Sequence, residues 1–113
     1  MRKIGIAIIG SAGAVASTVV AGTLLMRKGL VPKRGMITET SDIHHKNVLP
    51  TLLDMASLDE MVFGGWDMQD TNLYDACLQH RVVPQHQLDQ VKAELQAIKP
   101  WPAVVSEQYV VNL

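Results

Sequence analysis

The run from Ile4 to Met26 carries no charge, yet it breaks in its middle at Gly10-Ser11-Ala12-Gly13-Ala14-Val15-Ala16. Two incompatible structures compete for it. An uncharged run of this length behind Met1-Arg2-Lys3 suits a membrane span or a signal peptide, whereas a β-branched half, a glycine turn and an Ala-rich half suit a strand, a phosphate loop and a helix. The choice decides compartment and function together.

The 113 residues have room for one small core, and 48% hydrophobic with 19% charged content is ordinary for a globular domain. A formal net charge of -1, with no Lys/Arg stripe interleaved with aromatics, argues against nucleic acid as a partner. The single Cys77 cannot form an internal disulfide, which argues against a disulfide-stapled secreted module.

Ile4-Gly5-Ile6-Ala7-Ile8-Ile9 is a short β-branched run, expected as a strand buried on both faces and ended by Gly10. From about Ala14 to Lys28 the chain turns to Ala, Val, Thr and Leu without Pro. Arg27 and Lys28 followed by Gly29 are helix-stop signals. A membrane helix would have to carry Gly5, Gly10, Gly13 and Gly22 together with four hydroxyl residues, which weakens its hydropathy. A signal peptide stays open, because Ala14-Val15-Ala16 before Ser17 is similar to a small-residue cleavage site.

A helix N-terminus offers unpaired N–H groups and partial positive charge to an anion, provided no bulky side chain blocks close approach. The small residues from Gly10 to Ser17 meet that condition. The spacing departs from G-x-G-x-x-G, since Ala12 occupies the second glycine position and Gly13 follows it.

A second element lies downstream. Asp59-Glu60-Met61-Val62-Phe63-Gly64-Gly65-Trp66-Asp67 reads as a charged lead-in, a short apolar strand, a glycine turn and a lone acid at the strand's C-terminal edge. That edge is where open α/β sheets bind ligands, and an acid there accepts from the ribose of a dinucleotide, usually about 20 residues after the loop. Asp67 lies far beyond that offset, so a plain alternative has it capping a helix that begins near Asp70-Thr71.

Together, Ile4 to Gly22, Val62-Phe63-Gly64-Gly65-Trp66-Asp67, Leu73-Tyr74-Asp75-Ala76 and Ile98-Lys99-Pro100-Trp101-Pro102-Ala103 resemble the inositol-3-phosphate synthase family, particularly its bacterial branch. The resemblance runs the whole length of the chain, and Gly-Gly-Trp-Asp is its most specific part. It implies an α/β fold, a Rossmann-like NAD-binding fold with a parallel sheet. It also implies an NAD-dependent isomerase that converts glucose 6-phosphate to 1D-myo-inositol 3-phosphate by oxidation, intramolecular aldol cyclisation and reduction.

By position, the resemblance puts Gly10, Ser11, Ala12, Gly13, Ala14, Val15, Ala16, Ser17 and Thr18 around the pyrophosphate and Asp67 on the adenosine ribose. The eukaryotic-type loop G-x-G-G-N-N-G-S-T is altered here by Ala12, Ala14-Val15 and Ala16, which removes the side-chain amides. Family members are several times longer and carry their catalytic residues elsewhere. Residues 1–113 are therefore expected to be an N-terminal, truncated part of a dinucleotide-binding domain, inactive alone, with no catalytic residue of its own. The full-length enzyme is expected to be cytoplasmic and homo-oligomeric through its other domain.

For the remainder, Leu30 to Ser57 is expected to be loop with a short helix near Thr51 to Ala56. The adjacent His44 and His45, and likewise His80 and His86, are expected to be solvent-exposed rather than metal ligands. Thr71 to His80 should be a helix capped by Asp70 or Thr71 and burying Leu73, Tyr74, Ala76 and Cys77. Pro84 to Lys99 should be a helix burying Leu88, Val91, Leu95 and Ile98, ended by Pro100-Trp101-Pro102. Trp66 and Trp101 are expected to be packing anchors. An NAD-dependent dehydrogenase is the alternative that the loop alone allows, and a non-catalytic membrane-attached or secreted protein is the one that the uncharged run allows.

Overall fold

The β-branched run forms a strand, β1 (Ile4–Ile9), and the alanine-rich run after the glycine turn forms a helix, α1 (Ala14–Arg27), in a computed structural model that describes residues 2–36 and 53–104. A 3-10 turn (Leu58–Glu60) leads into β2 (Met61–Asp67). Next come α2 (Leu73–His80), α3 (Gln85–Leu88), a second 3-10 turn (Asp89–Val91), α4 (Lys92–Ala97) and the two-residue β3 (Trp101–Pro102). The strands form a parallel sheet in the order β1-β2-β3, with Ile4 opposite Met61, Ile9 opposite Trp66 and Asp67 opposite Pro102.

The expected stop signals end α1. Gly29 adopts φ +69°, a conformation that favours glycine, and Arg27 donates to the carbonyls of Met61 and Asp59 at 3.0 and 3.2 Å. The last turn of α1 is thereby tied to the entry of β2.

One face of the sheet carries the core. Ile8 and Phe63 pack against a buried cluster that includes Val20, Leu24 and Leu25 of α1, Leu73 and Cys77 of α2, and Leu88, Val91 and Leu95. The other face presents Gly5, Ala7, Ile9, Val62 and Trp66, and Ile9 is 88% exposed. The expectation that β1 is buried on both faces is corrected, because the described helices all pack on one side of the sheet. Trp66 and Trp101 meet on that open face with ring centroids 5.3 Å apart and planes tilted by 50°. They pack on each other and stay partly exposed rather than anchoring the core.

Three further expectations change. Gly64 and Gly65 lie inside β2, not in a turn after it. A Cβ on Gly65 would sit 2.0 Å from the Ile8 carbonyl oxygen, so glycine here lets two strand backbones approach closely. Leu53 to Ala56 contain a turn with Asp54 at φ +46° instead of a helix, and Thr51 and Leu52 lie outside the described residues. Left-handed backbone at Asp54 cannot continue a right-handed helix.

Leu88, Val91 and Leu95 of the Pro84–Lys99 stripe are buried as expected and Ile98 is partly buried, but the helix is broken at Val91 (φ -124°, ψ 23°) and ends at Ala97. Two tertiary contacts fall beside the break: Lys28 donates to the Gln90 carbonyl at 3.2 Å, and the Tyr74 hydroxyl bonds Asp89. Lys92 lies over the Tyr74 ring at 5.0 Å, so its ammonium is engaged by an aromatic face.

A loop and an acid at the carboxyl edge of the sheet

The parallel register decides the geometry of the site. With Ile9 opposite Trp66, the loop after β1 and the acid ending β2 emerge side by side at the C-terminal edge. Gly10 takes φ +81°, and both its N–H and that of Ser11 donate to the Trp66 carbonyl, at 2.8 and 3.2 Å. The Gly13 N–H closes the turn on the Gly10 carbonyl at 3.0 Å. A Cβ on Gly13 would lie 3.1 Å from that same oxygen, so the turn leaves little room for a side chain there.

Asp67 does not cap the following helix. Its Oδ2 accepts from the Ala12 N–H at 2.9 Å, and its Oδ1 accepts from the Gln69 N–H at 2.9 Å. The cap of α2 is Asn72, whose side chain accepts from the Asp75 N–H at 2.9 Å, in place of the expected Asp70 or Thr71. The helix accordingly starts at Leu73.

With the amides of residues 10 to 13 engaged inside the protein, Ala14, Val15 and Ala16 head α1 without intrahelical acceptors. Gly13 is the N-cap, no side chain caps the helix, and its first turn holds no acid. This is an anion-receptive helix end flanked by small or outward-facing side chains. Ser17 is fully buried and its hydroxyl donates to the Gly13 carbonyl at 2.7 Å, while the Thr18 hydroxyl donates to the Ala14 carbonyl at 2.6 Å. Both hydroxyls therefore serve the helix itself. Ser11 is also buried, and its hydroxyl oxygen has no hydrogen-bond partner among the described residues. The polar groups that this segment leaves free for a ligand are therefore backbone amides.

A cleft of about 500 Å³ opens beside this edge, lined by Gly10, Trp66, Asp67, Met68, Gln69 and Ala103. It lies outside the carboxyl ends of the strands, where open α/β sheets bind ligands.

His80 is the contact that the sequence does not announce. Expected to be solvent-exposed, it is partly buried at the end of α2, and its Nε2 lies 2.8 Å from the Ala12 carbonyl oxygen. The two residues are 68 positions apart, so no local signal could have paired them. His86 is exposed as expected, and His44 and His45 lie outside the described residues. Cys77 is a buried core residue, as expected, and burial pushes its thiol up from the ordinary value.

No helix among the described residues is long and apolar enough to cross a membrane. The NAD-binding family model described as myo-inositol-1-phosphate synthase matches residues 4–113. The chain is similar to inositol-3-phosphate synthase 1 of Bacteroides thetaiotaomicron, with 36% identity over 98% of this chain and 27% of that protein. It is also similar to inositol-3-phosphate synthase of Spirodela polyrhiza, with 28% identity over 96% of this chain and 25% of that one.

Among solved structures, inositol-3-phosphate synthase from Caenorhabditis elegans shares the fold with a TM-score of 0.76, at 19% identity over 93% of this chain and 24% of its own. The chain thus spans about a quarter of the length of these relatives. The match along almost the whole chain, on an α/β fold whose loop and acid meet at one edge, means that this chain belongs to the myo-inositol-1-phosphate synthase family, as part of its NAD-binding domain.

Proposed function

We propose that this chain holds NAD for an inositol-3-phosphate synthase, with the pyrophosphate on the Ala14, Val15 and Ala16 amides and the adenosine ribose on Asp67. The observation that carries the reading is the meeting of an uncapped, acid-free helix end with a carboxylate from the neighbouring strand, beside a cleft. The donor chemistry fits the cofactor: amides and a helix dipole suit phosphate oxygens, and a carboxylate suits hydroxyl donors. Each oxygen of Asp67 is engaged by one amide and keeps a further lone pair for a ribose hydroxyl. Bound NAD supplies a reversible hydride acceptor, and the chain's own part is to fix its adenosine-diphosphate half.

The whole enzyme, in this reading, isomerises glucose 6-phosphate to 1D-myo-inositol 3-phosphate in the cytoplasm as a homotetramer. Its catalytic residues lie in the stretch of its relatives that this chain does not span, and the chain alone turns over no substrate. Trp66 borders the cleft, so titrating NAD against tryptophan fluorescence measures binding directly. Asp67→Ala is expected to weaken NAD about tenfold or more, the scale of a lost hydrogen bond to a charged group. Unchanged affinity would remove Asp67 from the site. With the full-length enzyme, accumulation of NADH from glucose 6-phosphate would favour a dehydrogenase instead.

A further inference from the structure

We infer that His80 is a positioning residue for the cofactor loop, acting through the peptide that joins Ala12 to Gly13; the inference rests on the NAD reading above. Residue 12 is gripped from both sides by side chains of two other elements. Asp67 at the end of β2 takes its N–H at 2.9 Å, and His80 at the end of α2 takes its carbonyl at 2.8 Å. A carbonyl oxygen can only accept, so Nε2 carries the hydrogen and donates. Ala12 is 1% exposed, which leaves its oxygen little access to water as a substitute partner.

The consequence reaches the anion site because a peptide unit is planar. Turning the Ala12 oxygen towards His80 sends the Gly13 N–H the opposite way, onto the Gly10 carbonyl at 3.0 Å. Gly13 is the N-cap of α1, so this peptide sets how the helix begins. If the peptide rotated, the Ala12 oxygen would leave His80 and the turn closure would break. His80 therefore selects the one orientation that keeps the loop closed and the helix end ready for an anion.

The surroundings hold His80 in place. α2 ends there because Arg81 adopts φ +56° and returns its N–H to the Cys77 carbonyl at 3.1 Å. One turn earlier, the Cys77 thiol donates to the Ser17 carbonyl of α1 at 3.4 Å. The end of α2 is thus fastened to the start of α1.

The test pairs two substitutions of similar length, His80→Gln with an N–H donor and His80→Met without one, in the full chain. NAD affinity is read from tryptophan fluorescence at 25 °C and stability from thermal unfolding. His80→Met should weaken NAD about tenfold, the effect of freeing a buried carbonyl, and His80→Gln should stay within about threefold of the parent. A lower Tm for His80→Met with parental NAD affinity would overturn the inference, as would equal weakening by both variants. No NAD binding by the parent chain would overturn the NAD reading and this inference with it. Nitrogen-15 NMR of the parent's imidazole decides independently of whether a variant folds: the neutral ring must be the Nε2–H tautomer, and an Nδ1–H tautomer refutes the contact.

Discussion

Gly64 and Gly65 are chemically identical neighbours in β2, and the structure assigns them opposite tolerance to a methyl group. A Cβ on Gly65 would lie 2.0 Å from the Ile8 oxygen and 2.9 Å from the Ile8 carbonyl carbon, all of it backbone. Reaching ordinary contact at 3.4 Å requires the strands to part by about 1.4 Å. One residue further on, the Trp66 carbonyl accepts from Gly10 at 2.8 Å and Ser11 at 3.2 Å, and a shift of that size takes both beyond hydrogen-bonding range. Overpacking costs about 1–3 kcal/mol and each lost bond about 1 kcal/mol, so Gly65→Ala should destabilise by about 3–5 kcal/mol. At about 4 °C or more per kcal/mol for a domain near this size, Tm should fall by about 12 °C or more.

At Gly64 the added Cβ would lie 3.7 Å from the Trp101 ring, an ordinary contact. Gly64→Ala should therefore be neutral or stabilising by up to about 1 kcal/mol, through the reduced freedom of the unfolded chain. Thermal and urea unfolding of the two variants beside the parent settles the matter. A Gly65→Ala chain within about 0.5 kcal/mol of the parent, or equal losses at both positions, would refute the close approach as the reason for the glycine.

Two further outcomes follow from local contacts. Asn72→Ala should cost about 1 kcal/mol in urea unfolding by removing the cap of α2, whereas Asp70→Ala and Thr71→Ala should leave that cap intact. Lys28 hydrogen-bonds Glu94 and holds its carboxyl below the ordinary 4.5. The resulting stability is present above that value and lost as pH falls through the lowered folded value, so Lys28→Met should flatten the acid limb of the stability curve. Both side chains are more than a third exposed, so the change should be small and shrink with added salt.

What could be read in the sequence was local. The change from β-branched residues at Ile4–Ile9 to an alanine-rich run, with Arg27, Lys28 and Gly29 behind it, marks a strand and a helix by period and stop signals alone. The stripe Leu88, Val91 and Leu95 likewise revealed which residues are buried. It did not reveal the break at Val91, beside which contacts arrive from Lys28 and Tyr74, far away in the chain. Gly64-Gly65 read as a turn because glycine usually punctuates; only the proximity of Ile8 shows that Gly65 is there for lack of a Cβ. Asp70, Thr71 and Asn72 are all good caps within three residues, and sequence cannot rank them. In the candidate site, the loop and Asp67 could be found from residue types, whereas His80 becomes visible only once α2 folds against α1.

The bond between Asp67 and the Ala12 N–H also limits how such a protein can be redesigned. Exchanging the acid for a neutral or basic residue is the obvious way to admit a cofactor with a phosphorylated ribose. In this chain that exchange also strips the acceptor from the Ala12 amide in the loop after β1. With Asp67 on the ribose, as proposed, preference for one ribose and integrity of the loop rest on the same side chain, and a switch of cofactor requires a second substitution that restores an acceptor for Ala12.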